Sequence, residues 1–213
     1  MDNTLLYFVR HGQTVWNKEK RWQGWQDSPL TTEGVAQTKA IAQRLKDEKF
    51  DLFLTSPLGR AVITAGEINK FLNIDVTVCD ELKEINLGDL EGHPEMYMRD
   101  KFPDEFLKFW NQPDKFLHPS AETFTEVRDR VMPFVKDLYG KYKKVLIVTH
   151  TTVIKHIIVY YLKRNIDTFW GEPVILPCSL TVCNMSGREK AGFDIIGDIS
   201  HYGDMNRVKD VKY

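Results

Sequence analysis

Apolar residues in this chain fall into two alternating rhythms. Short unbroken runs, at Leu5-Leu-Tyr-Phe-Val9, in Asp51-Leu-Phe-Leu-Thr55 and in Lys144-Val-Leu-Ile-Val-Thr149, have the length and composition of buried strands. Between them the apolar positions recur with helical period. Val35, Thr38, Ala42 and Leu45 mark one face of a helix opened by Thr31 or Thr32, and Ala61, Ala65, Ile68 and Leu72 mark a second that starts just after Ser56-Pro57. Asp75 to Cys79 reads as a short third strand. Phe124, Val127, Val131, Phe134 or Val135, and Leu138 describe a long amphipathic helix ending at Gly140, and Val153, Ile157 and Tyr160 or Tyr161 describe another behind the 144–149 strand. Cys178 to Asn184 and Gly192 to Ser200, joined by Met185 to Ala191, read as a closing pair of strands. Alternating strands and helices predict an α/β fold, a three-layer α/β/α sandwich with a mostly parallel sheet and helices on both faces.

One stretch breaks this rhythm. Gly92 to Glu122 holds Phe102, Phe106, Phe109, Trp110 and Phe116 among prolines and charges, and reads as a small, mainly helical cap inserted at 93–122 into a single domain spanning 1–213. It is expected to form an aromatic cluster over a sheet edge, a lid over a ligand crevice, or both.

With 213 residues the chain can bury one sizeable core, and a formal net charge of −1 without a basic stripe argues against nucleic acid and anionic membrane as partners. The start Met1-Asp2-Asn3 has no charged leader followed by an apolar stretch, so a cytoplasmic location is expected. Cys79, Cys178 and Cys183, without a Cys-x-x-Cys pair, are expected as buried reduced thiols.

The first strand ends in Arg10-His11-Gly12, a fixed cation, an imidazole and a residue that lets a ligand approach the backbone. Because parallel strands end at one edge of their sheet, groups far apart in sequence meet there. The second strand delivers Ser56-Pro57 and, one turn later, Arg60; the 144–149 strand delivers His150; and an acidic segment with Asp80, Glu81, Glu84, Asp89 and Glu91 follows the third. Two arginines and two histidines suit a phosphoryl group, whose equatorial oxygens planar guanidiniums bind bidentately. No phosphate-binding glycine loop and no metal-ligand motif such as His-Glu-x-x-His occurs, so no metal or cofactor is expected and side chains must do the chemistry. A neutral imidazole is a competent phosphorus nucleophile, and neighbouring cations keep it neutral.

Arg10-His11-Gly12-Gln13-Thr14 with Trp16-Asn17, Gln23-Gly24 before Asp27-Ser-Pro-Leu30-Thr31 and Gly34, Ser56-Pro57-x-x-Arg60-Ala61-x-x-Thr64-Ala65, Glu84-x-x-x-Gly88 with Glu91-Gly92, and Thr149-His150 together resemble the histidine phosphatase superfamily in its phosphoglycerate-mutase-like branch. The resemblance runs from the first strand to the last helix. It implies catalysis without a metal, with His11 as the nucleophile that becomes phosphohistidine, Arg10, Arg60 and His150 around the phosphate, and Glu84 as proton donor. It also puts Asn17, Gln23 and Gly24 near the phosphate or substrate, with Gly24 leaving room for the ligand. His93, His118 and His156 match no motif and are expected to be incidental.

Family members often carry glycine after the second histidine, where this chain has Thr151-Thr152, so a changed pocket is expected with Thr151 facing the substrate. Mutases commonly read Glu-Arg-His-Tyr-Gly in the acid segment, where this chain reads Glu84-Ile-Asn-Leu-Gly88 and is shorter overall. The resemblance therefore favours a phosphomonoester hydrolase on a small phosphorylated metabolite, with O-phosphoserine as the leading substrate. His201 near the chain end is the expected contact for the amino-acid part, whereas Leu87 stands where phosphoserine phosphatases tend to have histidine. A cofactor-dependent phosphoglycerate mutase and a non-catalytic phospho-ligand binder remain as alternatives, and a homodimer is left open.

Overall fold

The computed structural model describes residues 3–207, without the side chains of 204–207, so the outermost residues of the 1–213 span lie outside the description. Six strands, β1 (Thr4–Arg10), β2 (Leu52–Thr55), β3 (Val76–Val78), β4 (Lys144–Thr149), β5 (Leu180–Gly187) and β6 (Lys190–Asp198), form one sheet in the order β3-β2-β4-β1-β5-β6. The first four are mutually parallel, and β5 and β6 add to β1 as an antiparallel pair. The closing strands run further than their hydrophobic pattern predicted. Strand pairing continues through residues 185–187 and 190–191, leaving Arg188 and Glu189 as the turn.

Side-chain alternation along the central strands builds the two cores. On β4, Val145 and Ile147 pack with α6 (Phe124–Asp137) and α7 (Thr151–Tyr161), while Leu146 and Val148 pack with α2 (Thr32–Leu45) and α3 (Gly59–Leu72). Both faces of β4 are thus buried, which is why its sequence is an unbroken apolar run. A 14-residue helix such as α2 is marginal alone. It is held by Ile41, Ala42 and Leu45, fully buried positions of the kind that contribute roughly 1.5–3 kcal/mol each for the larger aliphatics. Val35, expected on that face, is exposed; Ile41 takes the place in the core.

The 93–122 insertion is helical as expected, with α4 (Glu95–Lys101) and α5 (Pro103–Asn111) followed by a single turn at Pro113–Lys115. Its aromatics do not form a separate cluster. Phe109 and Phe116 join the main core through edge-on contacts with Phe124, with ring centroids 5.3 and 6.0 Å away. Cys178 and Cys183 are buried free thiols and Cys79 is half-buried; burial pushes the Cys178 and Cys183 thiols up to about 12. Among the described residues no helix is long and apolar enough to cross a membrane.

Candidate active site

Register decides what meets at the carboxyl edge of the sheet. Arg10 lies opposite Thr149 on β4, and Thr55 opposite Val148, so β1, β2 and β4 end at one level. Pairing continues one residue further, with the His11 amide donating to the Thr149 carbonyl and the Ser56 amide to the Val148 carbonyl, both at 3.0 Å. Arg10, His11, Ser56 and His150 therefore come together as strand ends.

His11 is buried, and its Nδ1 lies 2.8 Å from the carbonyl of Gly12. A carbonyl only accepts, so Nδ1 carries the proton and Nε2 keeps a lone pair. Arg60 Nε donates to that Nε2 at 3.3 Å. Burial first, then the Arg60 and Arg10 charges, hold the His11 pKa well below its ordinary value, against a raising contribution from the Gly12 hydrogen bond. The ring is neutral at pH 7. His150 is depressed in the same way, by burial and then by Arg60, and its Nε2 sits 2.7 Å from Ser56 Oγ, with its ring centroid 5.1 Å from that of His11.

Arg60 enters from the first turn of α3 and is fully buried. Its Nη1 donates to Asp27 Oδ1 at 2.7 Å and its Nη2 to the Gly24 carbonyl at 2.6 Å. Asp27 also accepts from the Gly59 amide at 2.6 Å, so it caps α3 and orients the arginine at once. Asp27 has no role that its sequence alone predicts; its place in the Asp27-Ser-Pro-Leu30-Thr31 motif is the signal that points to it. Arg10 Nη1 donates to the Ile175 carbonyl at 2.7 Å.

Of the five acidic candidates, only Glu84 has its carboxyl at the cavity. It accepts from the Ile85 amide at 2.9 Å and from the Thr152 amide at the start of α7 at 3.3 and 3.4 Å. Asp80, Glu81 and Asp89 are exposed. Glu91 is buried, but its oxygens accept from the Trp25, Gln26 and Leu87 amides at 2.9, 2.6 and 3.0 Å, a structural tie between two loops.

Beside these groups opens a cavity of about 590 Å³ lined by Arg10, Glu84, Asn17, Gln23 and Thr151. Its apolar wall comes from Trp22, Leu87, Phe109, Trp110, Trp170 and Ile175. Among the described residues no group of three or more His, Cys, Asp or Glu side chains is placed to hold a metal ion.

Residues 6–192 match the family model of the histidine phosphatase superfamily, branch 1. The chain belongs to that superfamily. Relatives include the uncharacterized phosphatase PhoE of Bacillus subtilis, 36% identical over 153 residues (71% of this chain, 74% of the relative). Phosphoserine phosphatase 1 of Hydrogenobacter thermophilus is 30% identical over 168 residues (78% and 80%). Phosphoglycerate mutases are among the relatives too. The solved structure of Bacillus stearothermophilus YhfR superposes with a TM-score of 0.88 at 34% identity, covering 93% of this chain and 99% of that one.

Within this histidine phosphatase fold, the structure brings together Arg10, His11, Arg60, Glu84, His150 and Thr151, and lines the cavity with Asn17 and Gln23. The last two also serve local structure. Asn17 completes a capping box with Thr14 at the start of the short helix α1 (Val15–Lys18), and Gln23 Oε1 accepts from Thr14 Oγ1 at 2.6 Å. The two glycines have a different reason from the one expected. A Cβ on Gly24 would stand 2.4 Å from Glu91 Oε1 and 2.5 Å from the Ile85 carbonyl, and one on Gly12 2.8 Å from the Gly34 carbonyl. Both are required by chain packing rather than by ligand space.

His201 is not at the cavity. Its Nε2 lies 3.0 Å from the Cys178 carbonyl and its Nδ1 3.0 Å from Arg44 Nη1, with the neighbouring Tyr202 packed in the α2–α3 core. Burial and then Arg44 lower it to about 4. His201→Ala is accordingly expected to leave kcat/KM for every phosphomonoester within about twofold and to cost about 1 kcal/mol of stability, the scale of lost buried hydrogen bonds. Steady-state kinetics and urea unfolding check this. The other histidines also lie off the cavity: His93 is exposed and stacks on Tyr97, His118 Nδ1 meets Ser120, and His156 is buried beside Phe124 and Phe169.

Proposed function

We propose that the protein is a phosphomonoester hydrolase that works through a phosphohistidine at His11, without a metal. The observation that carries this is the neutral His11 ring with its lone pair on Nε2, held beside two buried guanidiniums, with the His150 ring next to it and Glu84 at the adjoining cavity. Nε2 attacks phosphorus, the ester P–O bond breaks, and the Glu84 carboxyl hands its proton to the departing alkoxide. The Glu84 carboxylate then takes a proton from water as that oxygen bonds to phosphorus and the P–N bond breaks, which restores both groups. Arg10, Arg60 and the His150 ring bind the phosphoryl oxygens through both steps; His150 Nδ1 is buried without a partner among the described residues, which suits an arriving oxygen.

The substrate is a small-molecule phosphomonoester. O-phosphoserine has the support of the named relative, but it has lost its expected His201 contact. A larger alcohol with an aromatic body fits the cavity: its volume is in the range that holds drug-sized ligands, and Trp22, Phe109, Trp110 and Trp170 line it beside the charged Lys20, Arg21, Glu95, Lys155 and Glu172. Phosphate release from O-phosphoserine, ethyl phosphate and 2-phenylethyl phosphate, measured in the presence of a chelator, tests both points, because the last two differ in body and little in leaving-group basicity. Release that survives the chelator, with 2-phenylethyl phosphate leading by about tenfold in kcat/KM for a buried ring, is expected. Trp110→Ala should erase most of that lead and spare ethyl phosphate. Isomerisation of 3-phosphoglycerate that depends on a bisphosphate, without release, would identify a mutase instead, and binding without turnover a phospho-ligand binder.

A further inference from the structure

Arg130 stands on α6, outside the cavity, and the hydrolase reading gives it nothing to do. Its guanidinium nevertheless uses its full set of five N–H donors. Nε and Nη2 pair with Glu122 at 2.9 and 3.0 Å, Nη1 donates to the Glu81 and Lys83 carbonyls at 2.8 Å each, and Nη2 donates to the Glu84 carbonyl at 2.9 Å. Three carbonyls of one short segment thus converge on a single cation. Their dipoles repel one another, so this turn holds only with a positive fork at its centre.

Side-chain ties rather than regular secondary structure shape the segment, with Thr149 Oγ1 donating to the Leu82 carbonyl and the Leu87 amide to Glu91. Between the turn at Asp80–Leu82 and the one at Gly88–Leu90 it forms no regular element. Glu122 also ties Asn86, two residues beyond Glu84, accepting from the Asn86 amide at 2.8 Å and donating its own amide to the Asn86 carbonyl at 2.8 Å. From the opposite side Trp25 Nε1 donates to the Glu84 carbonyl at 2.9 Å. The backbone of Glu84 is therefore located by α6 and by the β1–α2 connection, while its carboxyl reaches the cavity.

We propose that Arg130, together with Glu122, is a positioning residue for proton transfer by Glu84: it sets where the carboxyl stands relative to the leaving oxygen. This rests on the assignment of Glu84 as proton donor. The test compares Arg130→Lys, Glu122→Gln and Glu84→Gln in the full chain, with 2-phenylethyl phosphate and 4-nitrophenyl phosphate as alkyl and aryl esters, alongside Tm and inhibition by vanadate. Lysine keeps the charge and loses the fork. It is expected to lower kcat/KM, which reports the phosphorylation step alone, on the alkyl ester by about 10- to 100-fold, the scale of a misplaced catalytic group, and on the aryl ester, which leaves without a proton, by less than about threefold, and the alkyl-to-aryl ratio is taken in kcat/KM throughout. Vanadate inhibition should stay within about twofold, because Arg130 does not touch the phosphate position. Glu122→Gln should move the alkyl-to-aryl ratio in the same direction by a smaller factor, and it decides the matter if Arg130→Lys does not fold. A folded variant with an unchanged ratio, or equal losses on both esters that follow the loss of Tm, would overturn the positioning role. If Glu84→Gln itself leaves the ratio unchanged, the acid assignment falls and this proposal with it. A shifted ratio in Glu84→Gln beside an unshifted one in both other variants removes the proposal alone.

Discussion

His11→Ala is expected to reduce phosphomonoester hydrolysis by at least about 10⁴-fold while leaving phosphate binding within an order of magnitude, because the nucleophile is lost and the two guanidiniums are not. Rapid alkaline quench of the wild-type protein with a ³²P-labelled ester should trap an acid-labile, alkali-stable phosphoprotein that the variant does not form. Wild-type levels of that adduct in the variant would move the nucleophile elsewhere. The pH dependence follows from the same geometry. The His11 pKa is held down first by burial and then by Arg60 and Arg10, so the neutral, reactive ring persists as the pH falls through the usual histidine range. Protonation, and with it loss of kcat/KM, sets in only well below 6.5 once titration of the substrate's own phosphate, with a second pKa of about 6, has been taken into account. A free-enzyme limb at or above 6.5 would contradict a nucleophile held in this environment.

The second large effect is expected at Glu84. Glu84→Gln keeps the shape and the acceptor oxygen but cannot release a proton. The loss should be about 10²- to 10⁴-fold on alkyl esters, the usual range for a general acid, and only a few-fold in the first step on aryl esters. Burst kinetics with 4-nitrophenyl phosphate separate the steps: a nitrophenol burst of normal rate followed by slow turnover is expected, because the water that attacks phosphohistidine still needs a base. Glu91 provides the control. Its carboxylate holds three backbone amides and is not at the leaving group, so Glu91→Gln should lower Tm and leave the alkyl-to-aryl ratio alone.

These predictions begin from residues whose importance is legible without a structure. Arg10-His11, Arg60 and His150 each follow an apolar run of strand length, and the rule that parallel strands share an edge is enough to bring them together. The family motifs then choose Glu84 among five carboxylates, which no periodicity could do. Where the reading failed, the cause is specific. Gly12 and Gly24 looked like ligand clearance, but what a glycine makes room for is set by chain segments distant in sequence, here Gly34 and the Ile85–Glu91 loop. His201 looked like a substrate contact because it follows the last strand; its direction depends on Arg44, on a helix some 150 residues earlier, and on the carbonyl that opens β5. Arg130 carries no motif and no spacing signal, since nothing in its sequence neighbourhood tells that it faces three carbonyls.

The alternation of buried strands and amphipathic helices determined the layered α/β architecture, because burying both faces of a central strand requires an unbroken apolar run and that run is visible in the chain. The motifs at the strand ends named the candidate groups that meet at one edge of the sheet. Only the tertiary structure decided the tautomer of His11, which of the carboxylates faces the cavity, the aromatic wall beside the phosphate position and the arginine behind the acid. Each of these depends on contacts between segments tens of residues apart, and the direction of a side chain or a carbonyl at such a contact is fixed by packing and hydrogen bonding that no local pattern encodes.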